Sequence, residues 1–362
     1  MAEISPPTVS LLLWRELLAV SLEFKRLAPW RFMADDMVAH VPDDGGQANF
    51  ASVLGANGEL CGLVLYRGER MIAEMNDIWA DAESGLEPDA EFEFRQNALT
   101  LWFGPKDELV WHERKILLAL HYKPRFDRAN AWPKYLSHLP HYAPWDLDAG
   151  EVRLLTDALR RVNLFARQLE KNPGVYAEHG VGELPTLPAD GEARELARLE
   201  WRDWAGAGRE PPAVADGVWR GAGLEHIAGL PQEAGWCLET DFVYALVAAE
   251  GEGMSRPWQP RRLGVAESGG RMLSLTVLHP ADGDDLSVSV ARELAKVMVA
   301  RGRRPAKVLL GREEWERSLA AGLARVGVPV EAPDNLPTID NLLYQLPHLM
   351  LSVDKAHLPG KN

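Results

Sequence analysis

The sequence predicts an α+β domain, an antiparallel sheet with helices, followed by an α/β domain in the order strand, strand, strand, helix, strand, helix, strand, helix. Three observations carry this. An amphipathic run at helical spacing opens the chain, short alternating apolar runs around Asn57-Gly58 follow it, and from Gly235 to Met350 strand-like runs give way to alternating helical and strand patterns.

Thr8 to Leu27 carries Leu11, Trp14, Leu18 and Leu22 at spacings of three and four, which puts an apolar stripe on a helix. Pro29 ends it. Met37 to Val41, Phe50 to Leu54 and Leu60 to Tyr66 read as strands. The last two form a hairpin through Gly55-Ala56-Asn57-Gly58, because Asn-Gly accepts the positive φ of a tight turn. Glu69 to Ala82 is helical, and Ala98 to Phe103 and Leu109 to Trp111 are further strands around Gly104-Pro105. Between His121 and Trp145, Pro124, Pro133, Pro140 and Pro144 argue for an ordered loop whose aromatic rings pack over the sheet. Glu151 to Leu169 is a helix. Residues 1–170 thus form an aromatic-rich domain, and the proline- and glycine-rich residues 171–234 form a connector with one helix, Gly191 to Trp204.

The second domain covers residues 235–350. Cys237 to Ala248, Arg262 to Glu267 and Met272 to His279 are its first strands, with Ser268-Gly269-Gly270 as a turn. Asp284 or Asp285 caps a helix that runs to Arg301 and stops at Gly302. Ala306 to Leu310 is a strand, Glu313 to Val326 a helix closed by Gly327, Val328 to Glu331 a strand and Thr338 to His348 a last helix. Residues 351–362 form a tail.

With 362 residues, 46% of them hydrophobic, the chain buries a sizeable core and has room for two domains. Its 39 basic and 53 acidic residues give a net charge of −14, which opposes sequence-blind binding to polyphosphate or to an anionic membrane. Two cysteines, Cys61 and Cys237, sit in apolar strand-like settings and read as buried free thiols, which fits a reducing cytosol. The amino-terminal run lacks a basic leader and holds Arg15 and Glu16, so it reads neither as a signal peptide nor as a membrane span. The expected location is the cytoplasm. The sequence holds no G-x-x-x-x-G-K-[ST], H-E-x-x-H or G-x-S-x-G motif, which argues against the common nucleotide, zinc-protease and serine-hydrolase mechanisms.

The phrase from Arg303 to Pro333, RRPAKVLLGREEWERSLAAGLARVGVPVEAP, together with the element order around it, resembles the RNase H-like fold of integrase-like and transposase-like domains. That resemblance implies convergent carboxylates that hold two metal ions: one on the first strand, one at the end of the fourth and one on a later helix. Asp241, or Glu239 two residues before it, takes the first role, and Asp340 the third. Gly311 stands at the end of the fourth strand, with Glu313 the nearest acid downstream, and Glu293 lies on the first helix. The site is degenerate by this reading. The stretches LAPWRFMADDMVAHV, GELCGLVLYRG and HLPHYAPWDLDAGEVRLLTDAL also give the whole chain a resemblance to bacterial two-domain proteins of unknown function.

Asp241, Glu313 and Asp340 are accordingly the candidate catalytic and metal-binding residues, for magnesium or manganese, although the helix dipole alone also selects carboxylates in first turns. Arg301, Arg303, Arg304 and Lys307, with Arg261 and Arg262 nearby, are the candidate phosphate or nucleic-acid contacts. His138 and His141, with His121 and Asp127, are a candidate metal group, in which Pro140 rules out helical ligand spacing. Among the 13 tryptophans, Trp30 and Trp145 are the candidate exposed anchors. The leading expectation is a non-catalytic binding or scaffold protein without a cofactor, whose partner is a protein or a small ligand rather than nucleic acid or membrane. The alternative is a divergent metal-dependent enzyme acting on nucleic acid through the second domain.

Overall fold

The computed structural model describes residues 7–343 except 57, 59, 85–90, 126–128, 181, 189–198, 205–206, 208–217, 220–222, 246–247, 250–254 and 281–285. Two compact units divide the chain: Met1–Glu210 with Met254–Arg256, and Pro211–Gly253 with Pro257–Asn362.

In the first unit, α1 (Leu11–Leu27) starts where the Ser10 hydroxyl accepts from the Leu13 N–H, and ends at Ala28, left-handed at φ 48°, before Pro29. The sheet consists of β1 (Ala39–His40), β2 (Asn49–Leu54), β3 (Cys61–Arg67), β4 (Ala98–Gly104), β5 (Trp132–His138), β6 (Glu183–Thr186) and β7 (Glu200–Asp203), in the order β5-β4-β3-β2-β1-β6-β7. Its neighbours are antiparallel except β1 and β6. The helices α2 (Glu69–Glu83), α3 (Phe92–Arg95), α4 (Trp111–Ala119) and α5 (Ala149–Leu169) complete it.

Strand alternation sorts the side chains. Leu63 and Leu65 of β3, with Val53 and Leu101, pack against Leu17 and Phe24 of α1 and Leu155, Leu159 and Val162 of α5. Val64 and Tyr66 join Phe50 and Ala98 in a separate cluster with Met71, Ile72 and Met75 of α2. The two clusters follow the two faces of the sheet.

The second unit has α6 (Leu224–Ala228), β8 (Gln232–Tyr244), β9 (Arg261–Glu267), β10 (Met272–Leu278), α7 (Ser287–Arg301), β11 (Arg304–Leu310), α8 (Glu313–Arg325) and β12 (Val330–Glu331). Residues 337–343 are helical. The sheet order is β10-β9-β8-β11-β12: β8, β9 and β10 form an antiparallel triplet, and β11 and β12 extend it in parallel. Each parallel step passes through one helix, α7 and then α8. Leu238, Val265, Val308 and Leu310 pack with Val290, Leu294 and Met298 of α7 and Trp315, Leu319 and Leu323 of α8. Ala266 packs with Ile339 and Leu343 of the last helix. As the sequence predicts, Gly302 closes α7 in a left-handed conformation, φ 69°.

Several elements differ from the sequence expectations. Leu109 to Trp111 is no strand: Val110 precedes α4 and gives its N–H to the Glu113 carboxylate at 2.8 Å, an arrangement that starts a helix. The 121–145 loop contains β5, paired with β4 from Ala98–His138 to Gly104–Trp132. Pro133 is tolerated because β5 is an edge strand. Within the connector, β6 and β7 belong to the first sheet, and Ile227 of α6 packs in the second core. The helix expected from Gly191 to Trp204 is a strand at Glu200–Asp203, and 191–198 lie outside the described residues. Asn57, Asp284, Asp285, residues 344–348 of the expected last helix and the 351–362 tail also lie outside them. Cys61 and Cys237 are free but half-buried rather than buried. No described helix is long and apolar enough to cross a membrane.

Candidate functional site

In the second unit the alternation of β8 sends Leu238 and Thr240 to one face and Glu239 and Asp241 to the other. Glu239 is 1% exposed and accepts from the Thr338 and Ile339 N–H groups at 3.0 and 2.9 Å, so it caps the start of the 337–343 helix. Asp241 meets the end of β11. Its Oδ1 lies 3.0 Å from Arg312 Nε and accepts from the Phe242 N–H at 2.7 Å, and the Arg312 guanidinium lies 4.4 Å from the centre of the Phe242 ring. Gly311 makes room for this pair: a Cβ there would lie 2.3 Å from Asp241 Cγ.

The other acids predicted for this site are placed differently. Glu313 is exposed on the first turn of α8. Asp340 accepts from the Leu336 N–H at 2.8 Å. Glu293 of α7 accepts from the Ser274 hydroxyl at 2.5 Å and from Lys296; burial pushes its carboxyl up, but these hydrogen bonds outweigh burial and hold it below the usual range. Among the described residues no group of three or more His, Cys, Asp or Glu side chains is arranged to hold a metal ion, so Asp241, Glu313 and Asp340 do not converge. The same holds for His121, His138 and His141, and Asp127 lies outside the described residues.

The basic candidates are engaged internally. Arg301 pairs with Glu233 at 3.0 Å and lies 5.1 Å from the Trp236 ring centre. Arg303 lies 4.0 Å from the same carboxylate, and Lys307 pairs with Glu331 at 2.8 Å. Arg304 donates to the Leu230 and Val326 carbonyls. Arg261 is buried and donates to the His279 carbonyl. Trp30 is half-buried against Phe24 and Phe103, and Trp145 is also half-buried, so neither is an exposed anchor. Trp111, which the sequence reading assigned to a strand, is the exposed one, at 69%.

Two polar arrangements in the first unit escaped the sequence reading. Glu151, in the first turn of α5, accepts from Arg67 at 2.9 Å, the Ser137 hydroxyl at 2.6 Å and the Asp148 N–H at 3.0 Å, while Asp148 caps the Glu151 N–H in return. Arg256 donates to Ser137 at 3.2 Å. The adjacent His138 contacts the Thr100 hydroxyl through Nε2 at 3.3 Å; burial first, and then the Arg67 charge, lower its pKa to about 4. The spacing Asp148-x-x-Glu151 signals this capping box in the sequence.

The second arrangement is a small cleft lined by residues of α1, α4 and β5, whose enclosed space is about that of a single water molecule. Trp14, Leu18, Ile116, Leu117 and Tyr135 supply apolar walls, and Glu113 and Asp146 the charge. The Tyr135 hydroxyl is spent on Ser21 at 3.1 Å, and Asp146 Oδ1 lies 2.6 Å from His112 Nε2. Glu113 is 9% exposed, and its Oε1 has no hydrogen-bond partner among the described residues. Burial, more than the nearby Asp146 charge, raises the Glu113 carboxyl above the usual range.

No curated protein and no solved structure matches the chain. Residues 14–186 match the model of a domain of unknown function (DUF7309) and residues 224–347 that of a second domain of unknown function (DUF6930); the first lies in the first compact unit and the second, apart from 254–256, in the second, which supports a two-domain protein.

Proposed function

We propose that this is a non-catalytic binding or scaffold protein of the cytoplasm whose second unit is an RNase H-like domain with a degenerate acidic site. The strand order β10-β9-β8-β11-β12, with an antiparallel triplet extended by two parallel strands, supports the fold assignment. The observation that carries the functional reading is the Asp241–Arg312 pair: where the resemblance calls for a second carboxylate beside the first strand, this chain presents a guanidinium 3.0 Å from the first. A fixed cation there repels a divalent ion and neutralises the one carboxylate best placed to attract it. The partner is a protein or a small ligand. The internal pairing of Arg301, Arg303, Arg304 and Lys307, and the net charge of −14, count against nucleic acid. Two unpaired cysteines fit the cytoplasm.

The alternative is a divergent metal-dependent enzyme acting on nucleic acid, with magnesium or manganese at Asp241, Glu313 and Asp340. It draws on one observation, the placement of Asp241 on the central strand next to the end of β11. Calorimetric titration with manganese separates the two. The binding-protein reading expects no saturable uptake in the wild type. Saturable uptake that disappears in Asp241→Ala, with cleavage of a labelled oligonucleotide, would establish the alternative.

A further inference from the structure

We propose that β10 is a dimerisation edge, at which two copies of the chain join their second sheets by antiparallel pairing of β10 with β10 about a two-fold axis at Thr276. The inference concerns the outer edge of the second sheet and stands whether or not Asp241 takes part in metal binding.

The pairing of β9 shows which backbone groups of β10 face outward. Towards β8, the Pro260 carbonyl accepts from the Ala245 N–H and the Ser268 N–H donates to the Cys237 carbonyl, whereas the Glu267 N–H donates to the Arg271 carbonyl on the other side. Backbone groups alternate sides along a strand, so Leu263 and Val265 are the β9 residues that bond to β10, and their partners are Thr276 and Ser274. Leu275 and Val277 therefore turn their N–H and C=O groups away from β9. On that side β10 is the last strand, and neither residue has another backbone partner among the described residues. Their side chains are accessible as well, Leu275 at 44% and Val277 at 57%, while Ser274 on the opposite face gives its hydroxyl to Glu293 of α7. Met272–Leu278 holds neither a proline nor a charge, so this edge offers an unmet hydrogen-bonding pattern and an apolar surface together, which an added strand would cover. The other end of the sheet differs: β12 has two residues, and one of them, Glu331, is paired with Lys307.

The occupant is a second copy because the strand is its own complement. In an antiparallel pair centred on Thr276, Leu275 faces the partner's Val277 and Val277 faces the partner's Leu275. The two residues with outward backbone groups thus meet each other twice, for about four hydrogen bonds, and the two exposed apolar side chains are covered by the same two from the other copy. Thr276 meets the partner's Thr276, a cross-strand pair that antiparallel sheets favour. The chain carries a net charge of −14, and a strand without charges lets two such molecules approach where local repulsion is least.

The test is sedimentation equilibrium of the full chain over about a hundredfold range of concentration in the micromolar region. The weight-average mass is expected to rise from 40.2 kDa towards twice that value. Val277→Pro removes an outward N–H, and with it half of the intermolecular hydrogen bonds, while sparing those to β9. Leu275→Lys keeps the backbone and sets a charge against the partner's Val277. Both variants are expected to stay monomeric at every concentration, with far-UV circular dichroism matching the wild type as the check that they fold. Leu118→Lys, an exposed change in the first unit, is expected to dimerise as the wild type does. A wild type that stays monomeric, as it would if another segment of the chain or a different protein occupied the edge, would overturn the proposal. So would a dimer that survives in either folded β10 variant or is lost in Leu118→Lys.

Discussion

Asp241 on β8 and Glu113 in the first turn of α4 are acidic side chains, one in each unit, and they are treated in opposite ways. Asp241 is enclosed by an arginine, a backbone N–H and a glycine that makes room for it. Glu113 is anchored by one oxygen, while the other is buried beside an apolar cleft and has no hydrogen-bond partner among the described residues. The difference teaches that burial and charge do not by themselves mark a site. A carboxylate whose acceptor capacity is met inside the protein supports structure, and one whose capacity is only partly met costs stability.

The most severe way to break this contrast is to remove a fully engaged carboxylate. Glu151→Ala leaves Arg67 buried without its partner and removes the α5 capping box, with an expected loss of about 3–5 kcal/mol in urea unfolding. A loss below about 1 kcal/mol would show that the network is not structural.

His138 is the next largest case, because it is half-buried beside a cation and its Nδ1 lacks a partner among the described residues. Its folded pKa of about 4 lies below the ordinary 6.5, so between these values the unfolded chain binds a proton that the folded one does not. Its contribution is complete above the unfolded value and lost as pH falls through about 4, on the order of 3 kcal/mol in all. His138→Gln is expected to flatten that part of the pH profile of the melting temperature.

Gly311→Ala sharpens the comparison in the second unit. Its Cβ would collide with Asp241, at an expected cost of about 1–3 kcal/mol. In the Asp241→Gly background, which removes the Cβ as well as the carboxylate that Gly311→Ala would strike, the same change is expected to cost much less, a non-additivity that a double-mutant cycle reads directly.

The smallest effect belongs to Glu113→Gln. The folded carboxyl is raised, mainly by burial, so its stability contribution is present below the unfolded pKa and is lost as pH rises through the folded one. The variant is therefore expected to be up to about 1 kcal/mol more stable than wild type at pH 8 and to lose that advantage near pH 4, as thermal melts at the two values would record.

The elements that announce themselves locally were legible in the sequence. α1, α5, the β2–β3 pair and the order of strands and helices from β8 to β12 follow from apolar periodicity, Pro29 and Gly302. What was missed depends on neighbours. β5 looks like a proline-broken loop until β4 pairs with it, and β7 pairs with β6 although its short run carries no strand pattern of its own. For the sites, the sequence supplied Asp241 but not Arg312 as its partner, because the meeting of β8 and β11 is made in space. Glu113 was invisible for a related reason. It sits three residues after a valine, outside the usual capping pattern, and its distinguishing feature is an oxygen without a hydrogen-bond partner among the described residues.

The proline that hid β5 also has a consequence for how copies of this chain coexist at high concentration. An unpaired sheet margin is a template on which a second molecule can continue the hydrogen-bonding pattern, and that route leads to aggregates. Along β5, Pro133 offers no N–H, Lys134 adds a charge, and Trp145 has already claimed both backbone groups of Ser137. The opposite margin, β7, carries Glu200, Arg202 and Asp203. Each margin thus carries features that discourage recruitment of another copy, so the first sheet is built to end where it does.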